Sequence, residues 1–264
     1  MKPKGTYVYC LVAASRQPSL ARVPRGLPGT GVVRLLEHAF GPEPRDLRAW
    51  LVAADAPLER FGAEVINERL QDLDWIARAA VAHEGVVESF VAATALLPMK
   101  LFTIFTSDAR ALAHISQQRD HVRTVLKRVT RHDEWGVRVA FDRARAIAPR
   151  PGRPQSPRKP ISGAGYLAGK KATREARVRL ASRARDVIAD LNELLGHHAS
   201  LARRRGARDL PVKDGPLLLD AAYLVDRSHA RRFRTTLARE ARRLAPEGYR
   251  VSLTGPWPPY SFLE

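Results

Sequence analysis

Apolar and polar positions change period several times along the chain, and each change marks an element. Tyr7 to Ala13 is almost continuously apolar, as a central strand covered on both faces requires. Beyond the Pro/Gly-rich turn region Pro24 to Gly31, the stretches Gly31 to Phe40 and Arg48 to Ala54 read as two more strands. From Phe61 to Ala82, Phe61, Val65, Ile66, Leu70, Leu73, Ile76, Ala77 and Ala80 recur at helical spacing with charges between them, which predicts one amphipathic helix. Val86 to Val91 and Met99 to Phe105 are short apolar runs on either side of Pro98. Ser107-Asp108 then caps a helix striped by Leu112, Ile115, Val122, Val125, Leu126 and Val129.

The second half restarts with a strict two-residue period. Trp135, Val137, Val139 and Phe141 fall on one face of a strand, with Gly136, Arg138, Ala140 and Asp142 on the other. Pro149, Pro151, Pro154, Pro157 and Pro160, interleaved with arginine, glycine and serine, cannot continue a sheet or helix and predict an extended insertion. Ala172 to Leu201 is a long helix with Val178, Ala184, Val187, Leu191, Leu194 and His198 near one face, followed by a polar turn and the strand Leu217 to Val225. Ser228 is the expected cap of a last helix with the stripe Phe233, Leu237, Ala241 and Leu244, which ends at Pro246-Glu247-Gly248. The terminal strand then alternates Val251 and Leu253 with Arg250, Ser252 and Thr254.

This order predicts an α+β chain of two domains. An N-terminal α+β domain spans 1–132, and a C-terminal α+β domain spans 133–264, with a long helix and a variable Pro/Arg-rich insertion near 148–164. Its strands and helices suit a sheet covered by helices on one face, close to a ferredoxin-like arrangement.

The last ten residues stand apart. Leu253-Thr254-Gly255-Pro256-Trp257-Pro258-Pro259-Tyr260-Ser261-Phe262 converts a strand into a Gly/Pro-rigid aromatic tail. Three prolines fix φ and reduce the entropy lost when Trp257, Tyr260 and Phe262 dock. Termini fray unless tied down, so the tail either closes an intramolecular core or anchors a partner chain.

Composition narrows the chemistry. The chain of 264 residues is 45% apolar, long enough for one large or two ordinary globular domains. The single cysteine, Cys10, lies in an apolar run, which excludes an intrachain disulfide and suits a small core residue in a reducing compartment. There is no signal-peptide pattern and no uncharged stretch of membrane-spanning length, so a soluble, cytoplasmic protein without membrane partners is expected. The formal net charge of +18, carried mostly by arginine in clusters at Arg150 to Lys159, Lys170 to Arg185, Arg203 to Arg205 and Arg231 to Arg243, admits a nucleic-acid-binding α+β protein as the alternative. The strands lack the aromatic signature of an RNA-binding sheet, and no zinc-finger or basic-zipper spacing is present, so an acidic partner protein is the preferred use of the charge.

Catalytic constellations fail on spacing. Gly163 to Lys171 lacks a glycine at Ala164 and the magnesium-ligating hydroxyl at Lys171 that a phosphate loop needs, and reads as a hinge into the long helix. His132-Asp133-Glu134 places potential acid, base or metal groups on adjacent residues that point apart, as solvated junction residues do. His197-His198 has no partner ligand at metal spacing. No catalytic residue, cofactor or metal is expected, and the chain is read as a non-enzyme.

Four motifs carry a resemblance. They are Asp72-Leu73-Asp74-Trp75 with His83-Glu84-Gly85-Val86-Val87, then Leu97-Pro98-Met99-Lys100-Leu101-Phe102-Thr103-Ile104-Phe105, then Glu134-Trp135-Gly136-Val137-Arg138-Val139, and the tail motif Gly255 to Phe262. In that order they resemble the gas vesicle protein F/L family (GvpF and GvpL), accessory proteins of gas vesicle formation. The resemblance implies two α+β domains, the second a modified ferredoxin-like fold with a variable insertion. It also implies a non-enzymatic role in gas vesicle assembly, with the shell protein and other accessory proteins as partners and a place on the vesicle as a minor component. Phe102 departs from the family, where many members carry glycine. His83 matches a family histidine, with capping of the last carbonyls of the preceding helix as its expected role. Trp75 is expected in the core. Pro98, Leu101, Phe102, Phe105, Trp257, Tyr260 and Phe262 are the candidate partner-binding residues, being uncharged and set in Pro-bounded segments.

Overall fold

The computed structural model describes residues 3–38, 48–142, 163–206 and 216–264. The Pro/Arg-rich insertion expected near 148–164 lies outside these residues, apart from the helical Gly163 and Ala164. The chain mixes helix and sheet and divides into two compact units, Met1–Glu134 with Gly255–Glu264, and Trp135–Thr254.

The first unit is built on strand β1 (Lys4–Ala14), which pairs antiparallel with β3 (Arg48–Pro57) on one side and with β4 (Ala95–Pro98) and β5 (Ile104–Phe105) on the other. Strand β2 (Arg34–His38) extends the sheet beyond β3. The β1–β3 register slips between Val8 and Cys10, a bulge that resets the alternation of side chains. Tyr7, Tyr9, Cys10 and Val12 therefore all face one core cluster, while Val8, Leu11 and Ala13 face the other. Helices cover both faces, which explains the unbroken apolar run. One side is closed by α1 (Leu58–Phe61), α2 (Ala63–Arg69) and α3 (Leu73–Glu88), and the other by α4 (Asp108–Gln117) and α5 (Arg119–Val129).

Two helices expected as single rods are divided. The stripe from Phe61 to Ala82 is broken at Gly62 and again before Asp72, whose carboxylate accepts from the Trp75 N–H at 2.9 Å and starts α3 afresh. Helix α3 then runs on through Val86 to Glu88, so that apolar run belongs to the helix. Ser107 caps α4 as expected, accepting from the Arg110 N–H, and Gln118 separates α4 from α5.

The second unit runs β6 (His132–Phe141), α6 (Gly163–Gly196), β7 (Leu201–Arg204), β8 (Leu217–Asp226), α7 (Ala230–Leu244) and β9 (Tyr249–Trp257), with the sheet order β7-β8-β6-β9. Strand β7 falls where a polar turn was expected. Trp135, Val137, Val139 and Phe141 enter one core with Ile188, Leu191 and Leu195 of α6 and Phe233, Leu237 and Leu244 of α7. Val178, expected on the packed stripe of α6, is exposed. Gly163 to Lys171 forms the first turns of α6 rather than a hinge into it. The residue before α7 is His229, with no side-chain cap; Ser228 instead turns back to the Asp226 carboxylate.

Candidate partner-binding surface

Pro98, Leu101, Phe102 and Phe105 lie where the chain leaves β4 and enters β5. Pro98 is buried opposite Cys10, whereas Leu101, Phe102 and Phe105 are half-buried. Phe102 adopts φ 63°, the left-handed region that an L side chain enters at a penalty of about 1–2 kcal/mol. This is the position where the resemblance implies glycine in many members of the family.

A hydrogen-bond relay holds that conformation. The Phe102 N–H donates to Tyr7 Oη at 3.2 Å, the Tyr7 hydroxyl donates to His83 Nδ1 at 2.7 Å, and His83 Nε2–H donates to the Met99 carbonyl at 3.2 Å. A carbonyl can only accept, so Nε2 carries the proton and Nδ1 is left to accept from tyrosine. The relay starts and finishes in the Pro98–Phe105 segment and fastens it to α3 and β1. It also needs a neutral imidazole, and burial lowers the His83 pKa to about 4. Burial likewise raises the Tyr7 hydroxyl pKa. The expected capping role of His83 is therefore corrected. The residue sits five positions before the end of α3, with its ring among Tyr7 and Tyr9.

On the outer side of the segment, the Phe102 ring stacks on Trp75 with centroids 4.8 Å apart and planes 8° from parallel, and the Arg69 guanidinium lies 4.6 Å from the Trp75 ring. Trp75 is half-buried rather than core. The Phe105 ring lies 5.1 Å from that of His114, at a pocket of about 330 Å³ also lined by Ile104, Thr106 and Arg110.

The tail belongs to the first unit and is tied at three points. Gly255, at φ 112°, brings its backbone so close to the Glu134 carbonyl that a Cβ would stand 2.8 Å from that oxygen. The Gly255–Pro256 bond is cis, and buried Pro258 and Pro259 lead into a single 3₁₀ turn, Tyr260–Phe262. The two oxygens of the Glu134 carboxylate accept from the Ser261 N–H and the Ser261 hydroxyl, each at 2.8 Å. Arg128 Nη1 donates to the Phe262 carbonyl at 2.9 Å and also to that of Glu264. The Tyr260 hydroxyl donates to Glu84 at 2.6 Å, and Phe262 is buried. Trp257 and Tyr260 are each 38% exposed. Glu134, expected as a solvated junction residue, is only 2% exposed and acts as the tail's clasp. Its place in the Glu134-Trp135-Gly136 motif was the available signal.

One element of this surface was misread in the sequence. Leu73 and Val81 of α3 are 76% and 74% exposed, and exposed Ala77 lies between them on the same face. Tyr260 is bound at Glu84, one turn beyond Val81. Cys10 is fully buried and its thiol pKa is pushed well above the ordinary value by burial, as an inert core residue requires. Among the described residues, no helix is long and apolar enough to cross a membrane.

These features define a mixed helix-and-sheet protein in which the C-terminal tail returns to complete the N-terminal unit. The family described as gas vesicle synthesis protein GvpL/GvpF matches residues 5–264, and the chain belongs to it. It is 32% identical to gas vesicle protein L of Streptomyces sp. (strain CB03234) over 260 residues, covering 97% of this chain and 91% of that protein. Gas vesicle protein F of the same organism is 27% identical over 265 residues, covering 98% of this chain and 100% of the relative. The fold is similar to the crystal structure of the gas vesicle protein GvpF from Anabaena sp. PCC7120, with TM-score 0.67, 16% identity and coverage of 99% and 98% of the two chains. The corresponding protein from Microcystis aeruginosa gives TM-score 0.64 at 16% identity, covering 98% and 99%.

Proposed function

We propose that this protein is a non-enzymatic accessory protein of gas vesicle formation. It works in the cytoplasm by binding the vesicle shell protein and other accessory proteins during assembly, and it stays on the vesicle as a minor component. The observation that carries the reading is the apolar surface of the first unit. Trp257 and Tyr260 stand out from a tail whose backbone is held by Glu134 and Arg128, and the exposed line Leu73, Ala77 and Val81 leads to the helix turn where Tyr260 is bound. Rigid aromatic anchors lose little entropy on binding, and an exposed apolar line suits a partner with an apolar helical face that would otherwise self-associate. Leu101 and Phe102 add a half-buried flank on the α3 side of the sheet, Phe105 packs with the core of the opposite face, and Pro98 and Phe262 are buried. The strand–helix–strand–strand–helix–strand order of the second unit, with β6 between β8 and β9, supports a modified ferredoxin-like domain beside the N-terminal α+β domain.

The test is capture of purified shell protein by the full chain at low and high salt, alongside fragmented duplex DNA. Retention of shell protein at high salt, weakened in a Trp257→Ala variant that still melts cooperatively, supports the proposal. Salt-labile capture of DNA alone replaces it with the nucleic-acid-binding alternative.

A further inference from the structure

Helix α7 turns Phe233, Thr236, Leu237, Glu240 and Leu244 into the core of the second unit. Every charged side chain on its exposed face is an arginine. Its one acid, Glu240, is buried and already held by Arg239 Nε at 3.3 Å and Arg243 Nε at 2.7 Å. Asp190 and Glu247 also act on Arg243, so that end of the helix is locally balanced. The other end is not. There Arg231 and Arg232 have no carboxylate partner among the described residues, and neither does Arg242 beside Arg243.

The arrangement along the helix is regular. At 3.6 residues per turn, Arg231, Thr235, Ala238 and Arg242 form one outward line about 16 Å long, with Arg232 and Arg239 along its flank. The two small residues between the terminal arginines leave room for a backbone to approach. The first turn of α7 holds two arginines and no acid, although cations are disfavoured at the positive end of a helix dipole. His197 and His198 at the end of α6, and His229 before α7, add further groups to the same region. Burial and then the fields of Arg232, His197, His229 and Arg239 hold the pKa of His198 down.

We propose that this face of α7 docks an acidic amphipathic helix of a partner protein, whose carboxylates follow the 0, 4, 7, 11 spacing of the line, the outer two meeting Arg231 and Arg242 and the inner two passing over Thr235 and Ala238 to the flanking Arg232 and Arg239. Guanidinium forks pair with carboxylates in a bidentate manner, which suits the arginines at the two ends of the line and on its flank better than lysines. A helical partner is favoured over a nucleic acid because the line is straight and bears neither asparagine or glutamine to read base edges nor an aromatic ring on which to stack a base. The inference concerns the second unit and does not depend on the apolar surface of the first.

The test uses the full chain and three fluorescent probes: a helical peptide with glutamates at that spacing, a peptide of the same composition with the glutamates scattered around the helix, and a duplex DNA oligonucleotide. Their affinities are measured by anisotropy for the wild type, for Arg231→Gln/Arg232→Gln/Arg242→Gln, and for Arg16→Gln/Arg22→Gln/Arg25→Gln, which removes the same charge from exposed sites in the first unit. The spaced peptide is expected to bind best and to weaken about tenfold in the α7 variant, with little change in the control variant. An NMR titration of the wild type is expected to show the His198 pKa rising when the spaced peptide is bound. Absence of peptide binding, equal weakening in both variants, or tighter binding of the DNA with the same dependence on Arg231, Arg232 and Arg242 would each overturn the proposal.

Discussion

Replacing Phe102 with glycine and with alanine separates the two things this residue does. Both changes remove the ring. Burial of about half a phenylalanine side chain contributes roughly 1–1.5 kcal/mol, and the stack on Trp75 adds about 0.5–1.5 kcal/mol, so Phe102→Ala should lose about 1.5–3 kcal/mol. The backbone stays at φ 63° in the alanine variant, with its penalty of about 1–2 kcal/mol. Glycine removes that penalty but returns about 0.4–1 kcal/mol through its greater freedom in the unfolded chain. The glycine variant should therefore be more stable than the alanine variant by about 0–1.6 kcal/mol, with a mid-range value of about 0.8 kcal/mol, the reverse of the order found in a helix or strand. Urea denaturation followed by circular dichroism, with the slopes compared to confirm that the same surface is exposed, reads the difference. An alanine variant more stable than the glycine variant would refute a left-handed Phe102 and the relay that holds it.

Four further outcomes follow from the same geometry. With an ordinary pKa of 6.5 unfolded and about 4 folded, His83 makes the unfolded chain the better proton binder between those values, so its contribution to stability is complete above pH 6.5 and falls by about 2 kcal/mol at pH 5; NMR titration of the ring checks this, and a midpoint near 6.5 contradicts it. Glu134→Ala removes the acceptor of two Ser261 hydrogen bonds, at roughly 1.5–3 kcal/mol per hydrogen bond to a charged group, and should release the tail to carboxypeptidase digestion while Glu134→Gln retains part of the protection. Gly26→Ala puts a Cβ 2.1 Å from Tyr9 Oη at φ +79°, and should lower stability by about 2 kcal/mol or more in a thermal melt. Tyr260→Phe removes only the partly exposed bond to Glu84, so a loss of about 1 kcal/mol or less in the same melt is expected, and a larger loss would mean the hydroxyl supports more than the tail.

Local pattern was enough to locate many elements. The two-residue period around Trp135, the continuous apolar run of β1, the Ser107 cap and the need for a tied-down tail all follow from side-chain spacing and backbone chemistry, which a single segment expresses by itself. Periodicity tells which residues share a face, but not which way that face turns. Leu73 and Ala77 could thus be read into the packed stripe of α3 while the body of the protein left them outside. The left-handed Phe102, the neutral His83 and the buried Glu134 depend on partners at Tyr7, Met99 and Ser261, two of them more than seventy residues away. The sequence by itself determined where many of the elements lie and that the aromatic end had to be held. Only the tertiary structure decided that the N-terminal unit holds it, because the free energy of a buried charge or a strained backbone is set by the groups folding brings beside it.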